Sequence, residues 1–247
     1  MNQLLLKNVC KRYPNQPNYA LDHINLTVRK GEFVAVMGRS GSGKTTLLNV
    51  TSIIDKIDSG SIYCADKEIS AFSDNEATSF RKNDIGFVFV FQDYMLLDSL
   101  TIRENISVAL SLKNVDSSKI DDLINSYAKR FNLYEQLKKY PYQLSGGQRQ
   151  RVSIIRAIIK EPEIIFADEP TGALDLKSSE ETMMILSEIN KTEKVTILMV
   201  THDVLSASYA DRVVLLKDGK LHMEIDKKDC GESFYDVISQ ALSDRGE

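Results

Sequence analysis

Gly38-Arg39-Ser40-Gly41-Ser42-Gly43-Lys44-Thr45 follows the apolar run Phe33-Val34-Ala35-Val36-Met37 and precedes Thr46-Leu47-Leu48-Asn49-Val50. The first run reads as a buried strand and the second as a helix, so the stretch is a strand, a glycine-rich turn and a helix. That is the order a phosphate-binding loop requires. Glycines let successive backbone N–H groups turn inward where a side chain would block them. The helix N-terminus turns its partial positive charge toward the same point. Lys44 is placed to reach the β- and γ-phosphates of a nucleotide, and the Thr45 hydroxyl to ligate Mg²⁺. The loop therefore predicts an α/β fold around a nucleotide, without saying what the nucleotide is used for.

The remaining chain bounds that reading. Its 247 residues suit one large domain or one with a sizeable insertion. With 27% charged and 43% hydrophobic residues the balance is that of an ordinary globular protein. A net charge of −4 argues against a nucleic-acid partner, which usually meets a strong basic excess. Cys10, Cys64 and Cys230 form no C-x-x-C pair and show no sequence clustering with the histidines, so neither a metal centre nor a disulfide framework is expected. Met1–Lys7 has no basic region or small-residue cleavage site, so it does not read as a signal peptide. No apolar run approaches the roughly 20 residues that span a bilayer. A membrane link is expected only through a partner.

Before the loop, residues 2–36 read as β, with Leu4–Val9 and Ile24–Val28 as strands and Tyr13 and Tyr19 between them. On position alone Tyr13 reads as a partly buried loop residue, although an exposed ring there could stack on a base. After the loop, Ser59-Gly60-Ser61-Ile62-Tyr63 turns into another strand. Ile85–Gln92 carries apolar residues on both faces and reads as a doubly buried strand. Thr101–Glu104 is a capping box opening a helix, and Ser118 is a candidate cap for a second. In that second helix Ile120, Leu123, Ile124, Tyr127 and Phe131 repeat at helical spacing. Two amphipathic helices with no strand between them predict an inserted helical subdomain.

Leu144-Ser145-Gly146-Gly147-Gln148 opens another helix with Ser145 as N-cap. Two glycines there cost roughly 1 kcal/mol each against alanine. A close approach to the backbone, by an anion for instance, would explain them. Ile164–Glu169 is a strand ending in two carboxylates: Asp168 can hold Mg²⁺ and Glu169 can polarise an attacking water. Ser178 with Glu181 is a candidate cap for the helix that follows. Val195–Thr201 is a further buried strand, with His202 at its end, where ligands of open parallel sheets bind. Asp218-Gly219 signals a hairpin. Phe234, Val237, Ile238 and Leu242 mark one face of a final helix.

Taken in order, Gly38–Thr45, Gln92, Leu144–Gln148, Ile164–Glu169, Ala173-Leu174-Asp175 and His202 resemble the ATP-binding subunit of an ABC transporter over residues 3–222. The Leu-Ser-Gly-Gly-Gln signature discriminates, since other phosphate-loop ATPases lack it. The resemblance implies a phosphate-loop NTPase core with an N-terminal antiparallel β subdomain and an inserted α-helical subdomain. The core would take about 1–92 and 160–225, the helical part about 93–159 and a C-terminal helix about 232–243. The resemblance also implies ATP bound by Tyr13, Gly38, Arg39, Ser40, Gly41, Ser42, Gly43, Lys44, Thr45 and Thr46. Tyr13 would stack on the adenine. Mg²⁺ would be held by Thr45, Gln92 and Asp168, with Glu169 as base and Lys44 and His202 at the γ-phosphate. Leu144, Ser145, Gly146, Gly147 and Gln148 would bind the ATP of a second copy, with Asp175 at the dimer interface.

The further implied partner is an integral membrane permease, which would place the chain at the cytoplasmic face of a membrane. Phe91–Tyr94, Leu96–Thr101 and Thr171–Asp175 resemble the bacitracin-export, antimicrobial-peptide-resistance type, within the macrolide-exporter and lipoprotein-release group. A regulatory ABC ATPase of the cell-division or lipoprotein-release type is the alternative. There are two departures from the pattern. Ile85–Gln92 holds two residues more than usual, about 6.6 Å of extended strand, and Asn49–Ile54 lacks an expected glycine.

Overall fold

The computed structural model describes residues 1–14, 16–80, 88–90, 94–111, 117–231 and 233–243, with residues 88–90 and 117 as backbone only. Gln92 and most of the lengthened segment 85–92 lie outside them.

Two sheets form the framework. The first is antiparallel and pairs β1 (Asn2–Lys11) with β2 (Leu21–Arg29) on one side and β4 (Ser59–Cys64) on the other, extended by β5 (Lys67–Glu68). The second holds β3 (Phe33–Met37), β6 (Val88–Val90), β7 (Ile164–Asp168), β8 (Thr196–Thr201), β9 (Arg212–Lys217) and β10 (Lys220–Asp226). Its order is β10-β9-β3-β8-β7-β6, parallel except for the β9–β10 hairpin. At the hairpin's turn Asp218 and Gly219 both have positive φ, 49° and 75°, as a two-residue turn matched to strand twist needs.

Strand alternation sorts the central sheet's side chains into two cores. Val34, Val36, Phe166 and Val200 face the antiparallel sheet and helix α1 (Lys44–Thr51). Ala35, Met37, Ala167 and Met199 face the helical layer. That layer contains α3 (Ile102–Ser111), α4 (Ser117–Arg130), α5 (Gly146–Ile158), α6 (Leu176–Glu193) and the last helix, α8 (Phe234–Ser243). Short helices α2 (Asp74–Ser79) and α7 (Val204–Ala207) complete the set. The predicted stripe of α4 packs as expected, with Ile124 and Phe131 buried in the same cluster as the sheet face.

Three local expectations differ in detail. Thr101 and Glu104 do form the box that opens α3, each accepting the other's backbone N–H. However, α4 begins at Ser117, which puts Ser118 inside its first turn. The N-cap of α6 is Asp175, not Ser178: its carboxylate accepts from the Ser178 N–H at 3.1 Å and from the Ser178 hydroxyl at 2.7 Å. A carboxylate caps better than a hydroxyl that is itself a donor to it. Glu181 pairs with Arg151 instead, at 2.9 Å. His23 also lies beside Cys10: its backbone N–H meets Cys10 Sγ at 3.3 Å, and ligand atoms of Cys10, Asp22 and His23 lie within 4.8 Å of one another. The antiparallel pairing of β1 and β2 brings them together, so linear spacing misjudged that cluster.

The missing glycine has a structural counterpart. At the end of α1, Ile53 N–H donates to Val50 C=O and Ile54 N–H to Asn49 C=O, the paired bonds of a Schellman turn. Ile53 fills the left-handed position at φ 51°, a conformation that costs a β-branched residue about 1–2 kcal/mol. Both Ile53→Gly and Ile53→Ala lose the side chain's contact with the core, but only glycine relieves the backbone. Urea denaturation should find Ile53→Gly more stable than Ile53→Ala by about 1 kcal/mol.

Candidate functional site

Strand register assembles the site. Met37 is level with Thr201 across β3–β8, and Asp168 is level with Val200 across β7–β8. The loop after β3, Asp168-Glu169 after β7 and His202 after β8 therefore emerge side by side at the carboxyl edge of three adjacent strands.

At Gly43, φ is 105°, and a Cβ there would lie 2.3 Å from the Ala20 carbonyl oxygen. The loop can follow this path only with glycine at that point. Gly43 is also the N-cap of α1 and offers no side-chain cap, so the first N–H groups of the helix are left for a ligand. Lys44 is 7% exposed, and its Nζ donates to the carbonyls of Gly38 at 2.7 Å and Arg39 at 3.0 Å. Burial lowers its pKa, against the pull of Glu169 and Asp168. Ser42 Oγ is buried and has no hydrogen-bond partner among the described residues. An orphan hydroxyl, a buried ammonium and an uncapped helix end in one loop together fit a polyanion.

The acidic side has the complementary character. Burial raises the pKa of Asp168 and the charge of Glu169 raises it further, while the Thr45 hydroxyl and Lys44 act in the opposite direction. A divalent cation between Thr45 and Asp168 would relieve that cost, so this donor pair fits Mg²⁺. Glu169 has φ 46°, strain that a non-glycine residue carries at about 1–3 kcal/mol and that concentrates at functional sites. Its backbone N–H donates to Val200 C=O at 2.9 Å. Its Oε2 lies 2.6 Å from Nδ1 of His202, whose side chain is 65% exposed.

Most of these groups border one open cleft of about 1380 Å³, while Gly38, Ser42 and Asp168 lie outside its lining. Tyr13, Arg39, Ser40, Gly41, Gly43, Lys44, Thr45, Thr46, Glu169 and His202 all line it. Tyr13 is a partly buried loop residue, as its position alone suggested, and it also lines the cleft. Sequence reasoning missed the opposite rim, Asp218-Gly219-Lys220. That hairpin tip buttresses the loop, Gly219 N–H donating to Ser42 C=O at 3.1 Å. The hairpin was legible, but its position over the loop was not.

Leu144–Gln148 do not line this cleft. Ser145 caps α5 reciprocally with Gln148, accepting its N–H at 3.3 Å while Gln148 Oε1 accepts the Ser145 N–H at 3.1 Å. Gly147 also has a reason within the chain: a Cβ would lie 2.9 Å from Ser178 Oγ on α6.

A phosphate-loop cleft at the edge of a parallel sheet, faced by a strand-end Asp-Glu pair and a histidine, defines a nucleoside-triphosphate-hydrolysing α/β protein. The family model for ABC transporters matches residues 21–172, and the chain belongs to that family as an ATP-binding subunit and an ATPase. It is 46% identical over 224 residues to the bacitracin export ATP-binding protein BceA of Halalkalibacterium halodurans, covering 90% of this chain and 88% of that one. It is 42% identical to the macrolide export ATP-binding/permease protein MacB of Pasteurella multocida, covering 90% of this chain and 34% of that one. Among solved structures, a dimer of the ATP-binding cassette MJ0796 in a post-hydrolysis state with ADP and Pi superposes with a TM-score of 0.82 at 37% identity, covering 90% of this chain and 98% of that one. The sequence-based fold agrees with that likeness.

Proposed function

We propose that the cleft binds Mg-ATP as half of a composite site. The other half is Leu144–Gln148 of a second copy arranged head to tail. The single observation carrying this reading is the separation, within one chain, of the two glycine-bearing helix ends: the α1 terminus opens into the cleft and the α5 terminus does not line it. The phosphates lie on the Gly38–Thr46 backbone and on Lys44. Thr45 and Asp168 hold Mg²⁺, which neutralises charge on the β- and γ-phosphates when bound. Glu169 accepts the proton of the attacking water, oriented with His202 beside it. Asp175, at the start of α6 next to the exposed Leu176, lies at the dimer interface. Gln92 takes its metal-binding role from the family resemblance. Residues 1–92 and 160–225 act as the core, 93–159 as the helical unit and 232–243 as a terminal helix.

The dimer drives an integral membrane permease in antimicrobial-peptide export, sensing or resistance. The similarity to BceA, and the joining of ATP-binding and permease parts in the name of MacB, support this. Among the described residues no helix is long and apolar enough to cross a membrane, so on this reading the chain sits at the cytoplasmic face through the permease.

Size-exclusion chromatography of Glu169→Gln tests the composite site. A dimer is expected with Mg-ATP and a monomer without; a monomer in both overturns it. The permease is tested by detergent extraction of the tagged chain from its host. An integral membrane protein with a large extracytoplasmic domain should co-purify, and the complex's ATPase rate should respond to bacitracin. Failure to co-purify, or a rate indifferent to peptide, would overturn this assignment.

A further inference from the structure

Lys11, two residues before Tyr13, and Asp55, beyond the phosphate loop, meet beside the Tyr13 ring. Lys11, the last residue of β1, is 9% exposed and holds its Nζ 5.2 Å from the centre of the Tyr13 ring. The same ammonium donates to Asp55 Oδ1 at 2.9 Å and to the Lys56 carbonyl at 2.6 Å. Burial raises the pKa of the Tyr13 hydroxyl, with the nearby Thr46 hydroxyl lowering it and the Asp55 carboxylate raising it. Burial alone would raise the Asp55 pKa, but Lys11 and Tyr13 more than offset it and keep the carboxylate ionised.

The end of α1 delivers Asp55 to this point. After the left-handed Ile53, both Ile54 and Asp55 donate their N–H groups to the Asn49 carbonyl, at 2.9 and 3.1 Å. That turn folds the chain back toward β1. Thr46 belongs to the first turn of α1, next to Thr45 and Lys44. Lys11 therefore links the Tyr13 ring to the turn that ends the helix carrying the phosphate-binding residues. A ring with one face under an ammonium has one face left for the cleft it lines.

We propose that the Lys11–Asp55 ion pair is the positioning element of the nucleotide site, holding the open face of Tyr13 in register with the phosphate loop. This inference rests on the reading of Tyr13 as the base-stacking residue. Neither Lys11 nor Asp55 touches the nucleotide: they set where the base goes once the phosphates are held, by restraining the ring before binding. The pair therefore favours ligands carrying a base over bare polyphosphate.

The test compares equilibrium affinities of the full chain for Mg-ATP and for Mg-tripolyphosphate, which has the phosphates without the base. Asp55→Asn and Lys11→Met should each weaken ATP about five- to tenfold and leave tripolyphosphate unchanged, while Lys11→Arg should stay within about twofold of the parent for ATP. In a Tyr13→Ala background, Asp55→Asn should have no further effect on ATP. Equal loss for both ligands, or an undiminished effect of Asp55→Asn without Tyr13, would mean that the pair only supports α1, and would overturn the proposal. If Tyr13→Ala weakens ATP but Asp55→Asn and Lys11→Met do not, the positioning role fails and base stacking stands. If Tyr13→Ala itself leaves ATP affinity unchanged, the stacking reading fails and the proposal with it.

Discussion

Replacing Glu169 with Gln should cut ATP turnover by about 10²–10⁴-fold, the range lost when a positioned general base is removed, while Mg-ATP stays bound. The substitution keeps the size of the side chain and removes its proton-accepting carboxylate. No hydrogen bond that builds the phosphate loop uses that carboxylate: the Glu169 backbone N–H to Val200 is retained, and an amide can still meet His202 Nδ1. Removing a negative charge beside Asp168 and the triphosphate should favour the liganded state. Hydrolysis is what releases the closed pair in the composite-site reading, so the variant should accumulate as a nucleotide-bound dimer. Phosphate release measured with chromatography on the same sample checks both halves. Turnover at the parent rate would remove Glu169 from the role of base.

The second large effect is at Lys44. Lys44→Ala should weaken ATP about 10²-fold or more, the weight of two charge-assisted hydrogen bonds to phosphate oxygens. Loss of fold is not the expected cause. The ammonium is buried, its pKa is lowered chiefly by that burial, and its hydrogen-bond partners in the chain are the carbonyls of Gly38 and Arg39. A lysine whose folded-state pKa is depressed weakens the fold wherever it is charged, below that pKa. Removing it at neutral pH should therefore leave the Tm of the nucleotide-free protein unchanged or slightly higher. Calorimetry with and without ATP separates the outcomes. An unchanged ATP affinity would count against the phosphate-loop reading, and a collapsed Tm would count against the view that Lys44 serves the ligand and not the fold.

Much of this site was legible before any coordinates, because its signals are local. An N-cap at Ser145 and a two-residue turn at Asp218-Gly219 each depend on bonds made within a few residues. Such preferences act wherever the segment lies. The helix start at Asp175 shows where local reasoning reaches its margin. Asp175 and Ser178 are both good caps, and the choice fell to the carboxylate that accepts two bonds from the same serine. The left-handed Ile53 shows a different boundary: the missing glycine was visible, but not that the turn would form anyway with isoleucine in it.

By itself the sequence determined the phosphate loop, the continuous apolar runs that make β3, β7 and β8 buried strands, and the carboxylates and histidine at their ends. Those features follow from residue type and spacing along one segment. The tertiary structure alone decided that Asp168 is level with Val200, that Cys10 meets His23, that the β9–β10 turn braces Ser42, and that Lys11 reaches Asp55 across 44 positions. No residue specifies such a meeting on its own. Each is set by strand register and by which faces pack together, and those are fixed only when the whole core closes and makes any other register expose apolar side chains.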